Sequence, residues 1–366
     1  MPDPRSIRRI AINTGGGDAP GLNAVIRAVV LSACRIGWEV YGIRRSYDGL
    51  FEADGVTQLV PARVQGITHV GGTILGTTNQ GNPFKYPVTG PDGKTRLVDR
   101  SAEILTTLRD RRVDALVAIG GDGSLSIAYE LFLRGLPVIG VPKTIDNDLD
   151  ATVLTFGFDT AVQTATEAID KLQSTAEAHR RVMVVEVMGR YAGWIALHSG
   201  LAAAADIILL PEIPFKIDKV IEKIREREEH GQPYAIVVAA EGARPYGGDF
   251  VTRGGSELGR EIRLGGIADL VARQIEQLTG KETRSLVLGH LQRGGNPTTF
   301  DRLMALRFGA AAVRYLRRGA YGRMVALRPP DVLTVPLRQA ISQRKLVPMD
   351  SDTILTARSL GTCLGD

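Results

Sequence analysis

Short runs of β-branched and apolar residues recur along the chain, each followed by a glycine-rich or charged turn and then by residues at helical spacing. Residues 7–13 form the first run, followed by TGGGDAPG and by LNAVIRAVVLSACRIG over 22–37. Residues 39–43 read as the next strand, and VDALVAI (113–119) as another, followed by GGDGS and the helical SLSIAYELFLRG. Residues 137–141 end at PKTIDND, while RVMVVEV (181–187) and YAIVVAA (234–240) lead into MGRYAGW and EGARP. Val-rich strands that alternate with helices predict an α/β protein with doubly wound, mainly parallel sheets, because strands covered on both faces are apolar throughout. Ligands of such sheets bind beyond the carboxyl ends of the strands, where every one of these glycine-rich and charged turns falls. Residues 242–266, rich in Gly, Arg and Glu, read instead as a mobile surface excursion.

At 366 residues the chain is long enough for two domains. Its 45 Lys and Arg against 40 Asp and Glu leave +5, and no basic run interleaved with aromatics occurs, so small anions suit it better than nucleic acid. The apolar, uncharged stretch 191–205 is interrupted by Asp206 and reads as a buried helix, so no membrane partner is expected. The opening MPDPRSIRRIAI runs into a strand without the apolar core and cleavage site of a signal peptide. Cys34 and Cys363 are the only cysteines and lack metal-type spacing, which favours a reduced, cytoplasmic location.

The 42 glycines cluster at the turns. In TGGGDAPGLN (14–23) they allow backbone N–H groups to approach a phosphate at a helix N-terminus, although a tight structural turn would use the same residues. GGDGS repeats the arrangement with a carboxylate inside it: Asp122 could hold a Mg²⁺ that bridges phosphate oxygens, while Gly121 and Gly123 leave room for the anion. In TIDND, Asp146 lies closest to the strand end and is the candidate general base, with Asp148 or Asp150 available to cap a helix starting near Thr160. Arg180 and Arg181 precede a strand, Arg190 follows one, Arg284 stands before LVLG, and His290 and Arg293 come after it. Guanidinium groups bond two phosphate oxygens at once, so this set suggests a second, sugar-phosphate pocket, although any one of them could be a solvated surface residue. His198 reads as a hydrogen-bonded core residue, and His69 and His230 as surface residues.

Taken together, TGGGDAPGLNAVIR, GGTILG, IGGDGS, PKTIDND, GFDTAV, VVEVMGRYAGW, LPE, AEGA and LGHLQRGGNPTTFDR resemble the 6-phosphofructokinase family, in the family's order, over residues 10 to about 322. The resemblance implies two Rossmann-like lobes with the active site in the cleft between them. Residues 1–157, with 293–345 returning, would form the donor lobe. Residues 158–292, with the tail 346–366, would form the sugar lobe. It implies Mg²⁺-dependent phosphoryl transfer to the 1-hydroxyl of fructose 6-phosphate. Asp146 matches the proton acceptor, with Thr144 and Asp148 supporting the substrate and metal site, and Asp122 matches the metal position. Gly17, Gly121, Gly123 and Ser124 match the donor-phosphate loops. Ile145, Met188, Gly189, Arg190, Glu241, His290, Leu291, Gln292 and Arg293 match the sugar-phosphate site, Arg190 acting near the transferred group. Arg181 and Arg284 match arginines that reach the 6-phosphate from a neighbouring subunit, which implies a homo-oligomer, dimer or tetramer, with shared sites.

Two positions depart from the best-known ATP-using members. Asn79 stands where many of them carry an arginine that contacts donor phosphates, and Gly123 is combined with Lys143, a pairing of a subfamily that holds both ATP- and pyrophosphate-dependent enzymes. An aspartate at position 123 would repel the α-phosphate of ATP, whereas glycine leaves that space open, so ATP is the expected donor. Lys143 would serve ATP or pyrophosphate. Pyrophosphate-dependent phosphotransfer is therefore the nearest alternative. An NAD or lipid kinase would explain GGDGS but not TIDND, MGR or HLQRGG, and a silent sugar-phosphate sensor would not be expected to retain both Asp122 and Asp146.

Overall fold

The structure, a computed structural model, describes residues 3, 6–252 and 264–366; the centre of the excursion expected over 242–266, residues 253–263, lies outside them. The chain forms two compact units, residues 1–145, 149–159 and 293–344 in the first and residues 146–148, 160–292 and 345–366 in the second.

The first unit is built on a seven-stranded sheet. Its strands are β1 (Arg9–Thr14), β2 (Glu39–Ile43), β3 (Val56–Leu59), β6 (Ala115–Gly120), β7 (Val138–Pro142), β12 (Arg323–Arg328) and β13 (Asp331–Pro336), in the order β13-β12-β7-β6-β1-β2-β3. The five inner strands run parallel, and β3 and β13 close the edges antiparallel. A separate hairpin pairs β4 (Tyr86–Thr89) with β5 (Thr95–Val98). The apolar runs of the inner strands divide between two cores by alternation. Ile10, Ile12, Val117, Ile119, Ile139 and Val141 pack with α1 (Leu22–Cys34) and α8 (Thr299–Arg317). Ala11, Leu116, Ala118 and Val138 pack on the other side with α2 (Ser101–Asp110), α3 (Asp122–Leu133) and α9 (Leu337–Ala340).

The second unit has a four-stranded parallel sheet of β8 (Val182–Val187), β9 (Ile207–Leu209), β10 (Ala235–Ala240) and β11 (Thr283–Val287), in the order β11-β8-β10-β9. Val182, Val184, Val237 and Ala239 are buried under α6 (Ile217–Glu229) and α7 (Ile267–Thr279). Ile208 and Val238 face Gly200 of α5 (Trp194–Ala202) on the opposite side. Helix α4 (Phe158–His179) contributes its residues from 160 onward, and α10 (Asp352–Ser359) precedes the C-terminal strip. That strip covers the free edge of β9: Ile208 N donates to Cys363 O and Cys363 N to Asp206 O, both at 2.9 Å. Among the described residues no helix is long and apolar enough to cross a membrane.

Candidate active site

In the first unit, β1 and β6 are neighbours, yet α1 leaves for one face of the sheet and α3 for the other. The crevice at such a switch point is where open α/β sheets bind ligands. Both glycine turns sit on it. Gly15 N donates to Ile119 O at 2.9 Å, Gly16 N to Thr78 O at 3.1 Å and Lys143 N to Gly120 O at 3.0 Å. The approach is close enough to demand glycine: a Cβ at Gly15 would lie 2.6 Å from Ser124 Oγ and 3.0 Å from Ser46 Oγ. Buried Lys143 turns its ammonium onto Gly17 O. Arg293, expected with the sugar site, rests on the same loop: Nη1 donates to Asp18 O at 3.2 Å, and a Cβ at Gly17 would lie 2.4 Å from that nitrogen.

Helix α3 starts two residues earlier than the spacing suggests, so Asp122 is its first residue and Gly121 its N-cap. The N–H groups of the first turn therefore open toward the crevice and favour an anion, and a Cβ at Gly123 would meet no atom within 4 Å. Among the described residues no three His, Cys, Asp or Glu side chains cluster to hold a metal ion. One carboxylate beside a phosphate cradle nevertheless fits Mg²⁺, which is usually held by one or two carboxylates plus phosphate oxygens and water.

The TIDND stretch divides by role. Thr144 O accepts from Thr155 Oγ1 at 2.8 Å, and Ile145 is fully buried, so its side chain packs in the core and cannot present itself to a substrate. Asp146, Asn147 and Asp148 belong to the second unit. Asn147, 2% exposed, has φ +50° and accepts through Oδ1 from Lys345 Nζ at 2.8 Å. Asp150, a candidate helix cap, accepts instead from Gln343 Nε2 at 3.0 Å, and α4 begins at Phe158.

In the second unit the connections after β8 and β10 leave on opposite faces, which makes a second switch point. Met188, Gly189 and Arg190 leave β8 there, and Glu241 leaves β10. Glu241 N donates to Val187 O at 2.8 Å and Gly242 N to Gly189 O at 3.1 Å. A Cβ at Gly242 would fall 1.9 Å from Arg190 O, so only glycine lets these turns touch. Gln292, fully buried, accepts from Met188 N at 3.3 Å and donates to Gly289 O at 3.1 Å. Its side chain thus supports the Met188 turn from within. Leu291, 68% exposed, points to solvent, and His290 is exposed.

Arg181 and Arg284 do not join this group. Arg284, noted in the sequence as standing before LVLG, is the second residue of β11, in register with Met183. Both arginines lie at the amino ends of their strands, roughly 20 Å along β8 from the Met188 turn at about 3.3 Å per residue. Both pair with Glu282, at 2.9 Å and 2.6 Å.

Two carboxylates were not anticipated as part of this framework. Glu186, 3% exposed in β8, accepts from Gly266 N at 2.9 Å and Ala268 N at 3.1 Å at the start of α7. Its only signal was an acid inside the apolar run VVEV. Glu212 accepts from Gly193 N at 3.0 Å, where α5 begins, and from Val347 N at 2.9 Å. Burial pushes its carboxyl above the usual glutamate range, against the pull of those N–H groups. His198 lies edge-on to Trp194 with ring centroids 5.9 Å apart; burial pushes its pKa down, and the Lys345 ammonium adds to the effect.

Comparison with known proteins gives the family. The family model described as Phosphofructokinase matches residues 9–316. An ATP-dependent 6-phosphofructokinase of Chloroflexus aurantiacus is 53% identical over 362 residues, 98% of each chain. A pyrophosphate–fructose 6-phosphate 1-phosphotransferase of Amycolatopsis methanolica is 50% identical over 343 residues, 93% of this chain and 96% of that protein. Among solved structures, Pichia pastoris phosphofructokinase in the T-state is 30% identical with a TM-score of 0.79, covering 98% of this chain, which spans 37% of that longer one. The chain belongs to the phosphofructokinase family.

Proposed function

We propose that this protein is an ATP-dependent 6-phosphofructokinase, transferring the terminal phosphoryl group of ATP to the 1-hydroxyl of D-fructose 6-phosphate. Relatives near 50% identity across the full chain support the reaction, several of them named as ATP-dependent enzymes. The observation that carries the choice of donor is the open space at Gly123, on the first turn of α3 beside the Gly15–Lys143 crevice.

Backbone N–H groups of the two glycine turns and the Lys143 ammonium bind the donor phosphates. Asp122 would hold Mg²⁺, which when bound draws charge from the phosphate oxygens. Asp146 accepts the proton of the sugar 1-hydroxyl as that sugar oxygen bonds to the terminal phosphorus and the bond from this phosphorus to the bridging oxygen of ATP breaks, ADP leaving with the electron pair. Arg190 neutralises the transferred group. Thr144 supports the acceptor through its backbone. Met188, Gly189 and Glu241 orient the sugar, with His290 and Arg293 on its phosphate. Gln292 holds the Met188 turn. Arg181 and Arg284 serve the 6-phosphate of a neighbouring copy in a homo-oligomer. Their partial exposure and their distance along β8 from their own chain's Met188 turn support that role. We assign the enzyme to the cytoplasm, in keeping with two cysteines that form no disulfide.

Lys143 would serve the terminal phosphates of either donor, so steady-state assays with Mg·ATP and with Mg·pyrophosphate are the test. Turnover with ATP is expected, and activity with pyrophosphate alone would overturn the donor assignment. Gly123→Asp gives the complementary result. A carboxylate roughly 5 Å from a phosphate charge at an effective dielectric of about 20 costs about 3 kcal/mol, or about two orders of magnitude in kcat/KM for ATP.

A further inference from the structure

Residues 146–148 belong to no helix or strand, so side-chain and backbone cross-links must hold them in place. Lys345, where the chain re-enters the second unit, supplies such links. Its N donates to Asp148 O at 2.9 Å and its Nζ to Asn147 Oδ1 at 2.8 Å. Its own O accepts from Trp194 Nε1 at 2.9 Å, and the ammonium lies 5.6 Å from the centre of the Trp194 ring. Two residues on, Val347 N is bound by Glu212, whose carboxylate also takes Gly193 N just before Trp194. A segment of the C-terminal chain is thereby anchored to the start of α5 and extended to the turn that carries both aspartates.

Asn147 is the point on which this support acts. It stands between Asp146 and Asp148 in the left-handed region, which costs most residues about 1 kcal/mol or more and asparagine less. With Oδ1 held by an ammonium, its side chain cannot turn back onto its own backbone and offer the turn a competing conformation. Lys345 is half-buried while Ser342, Gln343, Arg344 and Leu346 around it are exposed, which sets it apart from a solvated surface lysine.

We propose that Lys345 is a positioning residue for phosphoryl transfer, holding residues 146–148 through the Asn147 side chain and the Asp148 carbonyl so that Asp146 meets the sugar hydroxyl. The inference rests on Asp146 as the proton acceptor. Misplacing a reacting group by about 1 Å costs on the order of 100-fold in rate, so loss of the side-chain link sets a fall of about 10- to 100-fold in kcat.

The test uses the whole chain and five variants. Lys345→Met removes the ammonium but keeps the backbone bonds to Asp148 and Trp194, so the fold is retained. Its kcat should fall about 10- to 100-fold while KM for ATP and for fructose 6-phosphate each change less than about threefold. Lys345→Arg, which can still donate to Asn147, should recover most of the loss. Asn147→Gly keeps the left-handed backbone but deletes the acceptor and should reproduce the Met phenotype. The double variant Lys345→Met/Asn147→Gly should be no slower than either alone, as expected for one shared interaction. Wild-type kcat in Lys345→Met beside an inactive Asp146→Asn overturns the positioning role alone. A loss in Lys345→Met that Asn147→Gly does not share overturns it as well. Full turnover in Asp146→Asn overturns the assignment of the base and this inference with it.

Discussion

Gly17→Ala should separate stability from activity in the donor loop. The backbone at Gly17 lies outside the left-handed region, so alanine is conformationally admissible. The added Cβ would fall 2.4 Å from Arg293 Nη1, 2.9 Å from Cζ and 3.3 Å from Nη2. Optimal contact lies near about 3.5–4.0 Å, so the guanidinium must retreat by about 1 Å and release Asp18 O. The loss of one neutral-acceptor hydrogen bond costs about 1 kcal/mol, a fall in Tm of no more than about 3 °C for a chain of this length. If Arg293 holds the substrate phosphate as proposed, its displacement by about 1 Å costs on the order of 100-fold in kcat/KM. The assay is kcat/KM for fructose 6-phosphate at saturating Mg·ATP, for Gly17→Ala, Arg293→Ala and the double variant, with thermal melts alongside. If the alanine acts by moving Arg293, the double variant equals Arg293→Ala. Additive losses would refute this reasoning and place the effect in the donor phosphates themselves. Normal kinetics would show that the contact has no functional weight. Gly16→Ala provides the contrast. There φ is +78° and the Cβ would lie 3.4 Å from Lys143 Nζ, so the cost of about 1–2 kcal/mol is backbone strain and appears first in the melt.

Gln292→Leu keeps the volume but removes the acceptor for Met188 N and the donor to Gly289 O, at a cost of about 1–3 kcal/mol. Urea unfolding should register that loss, and KM for fructose 6-phosphate should rise while KM for ATP holds. An equal rise in both would contradict the placement of Gln292 behind the sugar turn. Glu212 makes a prediction about pH, since burial holds its folded-state pKa above the unfolded value. The native protein therefore binds the proton more tightly, and this contribution to stability is complete below the ordinary glutamate pKa and lost as pH rises through the raised one. Denaturation midpoints of the wild type should decline across that window, and Glu212→Gln should flatten the decline. An unchanged slope in the variant would assign the dependence to another group.

Much of the architecture was legible in the residues. Strands β6, β7 and β10 are buried on both faces and appear as unbroken apolar runs, while β1 and β8 are apolar runs that carry a few polar residues, Glu186 among them. Strand β11, TRSLV, was hidden because its side chains are largely exposed, and β9 because it has only three residues. The start of α3 at Asp122 was masked by the glycines around it, which are poor helix formers but suit an N-terminus that must approach an anion.

The kinds of chemistry available were set locally: glycines that admit a phosphate, a carboxylate beside them, an aspartate just past a strand end, and arginines to meet anions. Local sequence also set the period of each strand and the turn that follows it. Tertiary structure alone decided which of these groups serve together. Gln292 reaches Met188 across 104 positions, Glu212 reaches Val347 across 135, and Glu186 reaches Gly266 across 80. Such pairs exist only once strand order and register bring distant backbone N–H groups to one carboxylate or amide. For the same reason Arg293 came to rest on the Gly17 loop, and Arg181 and Arg284 at the far end of the sheet from Arg190, although all four arginines look alike in the sequence.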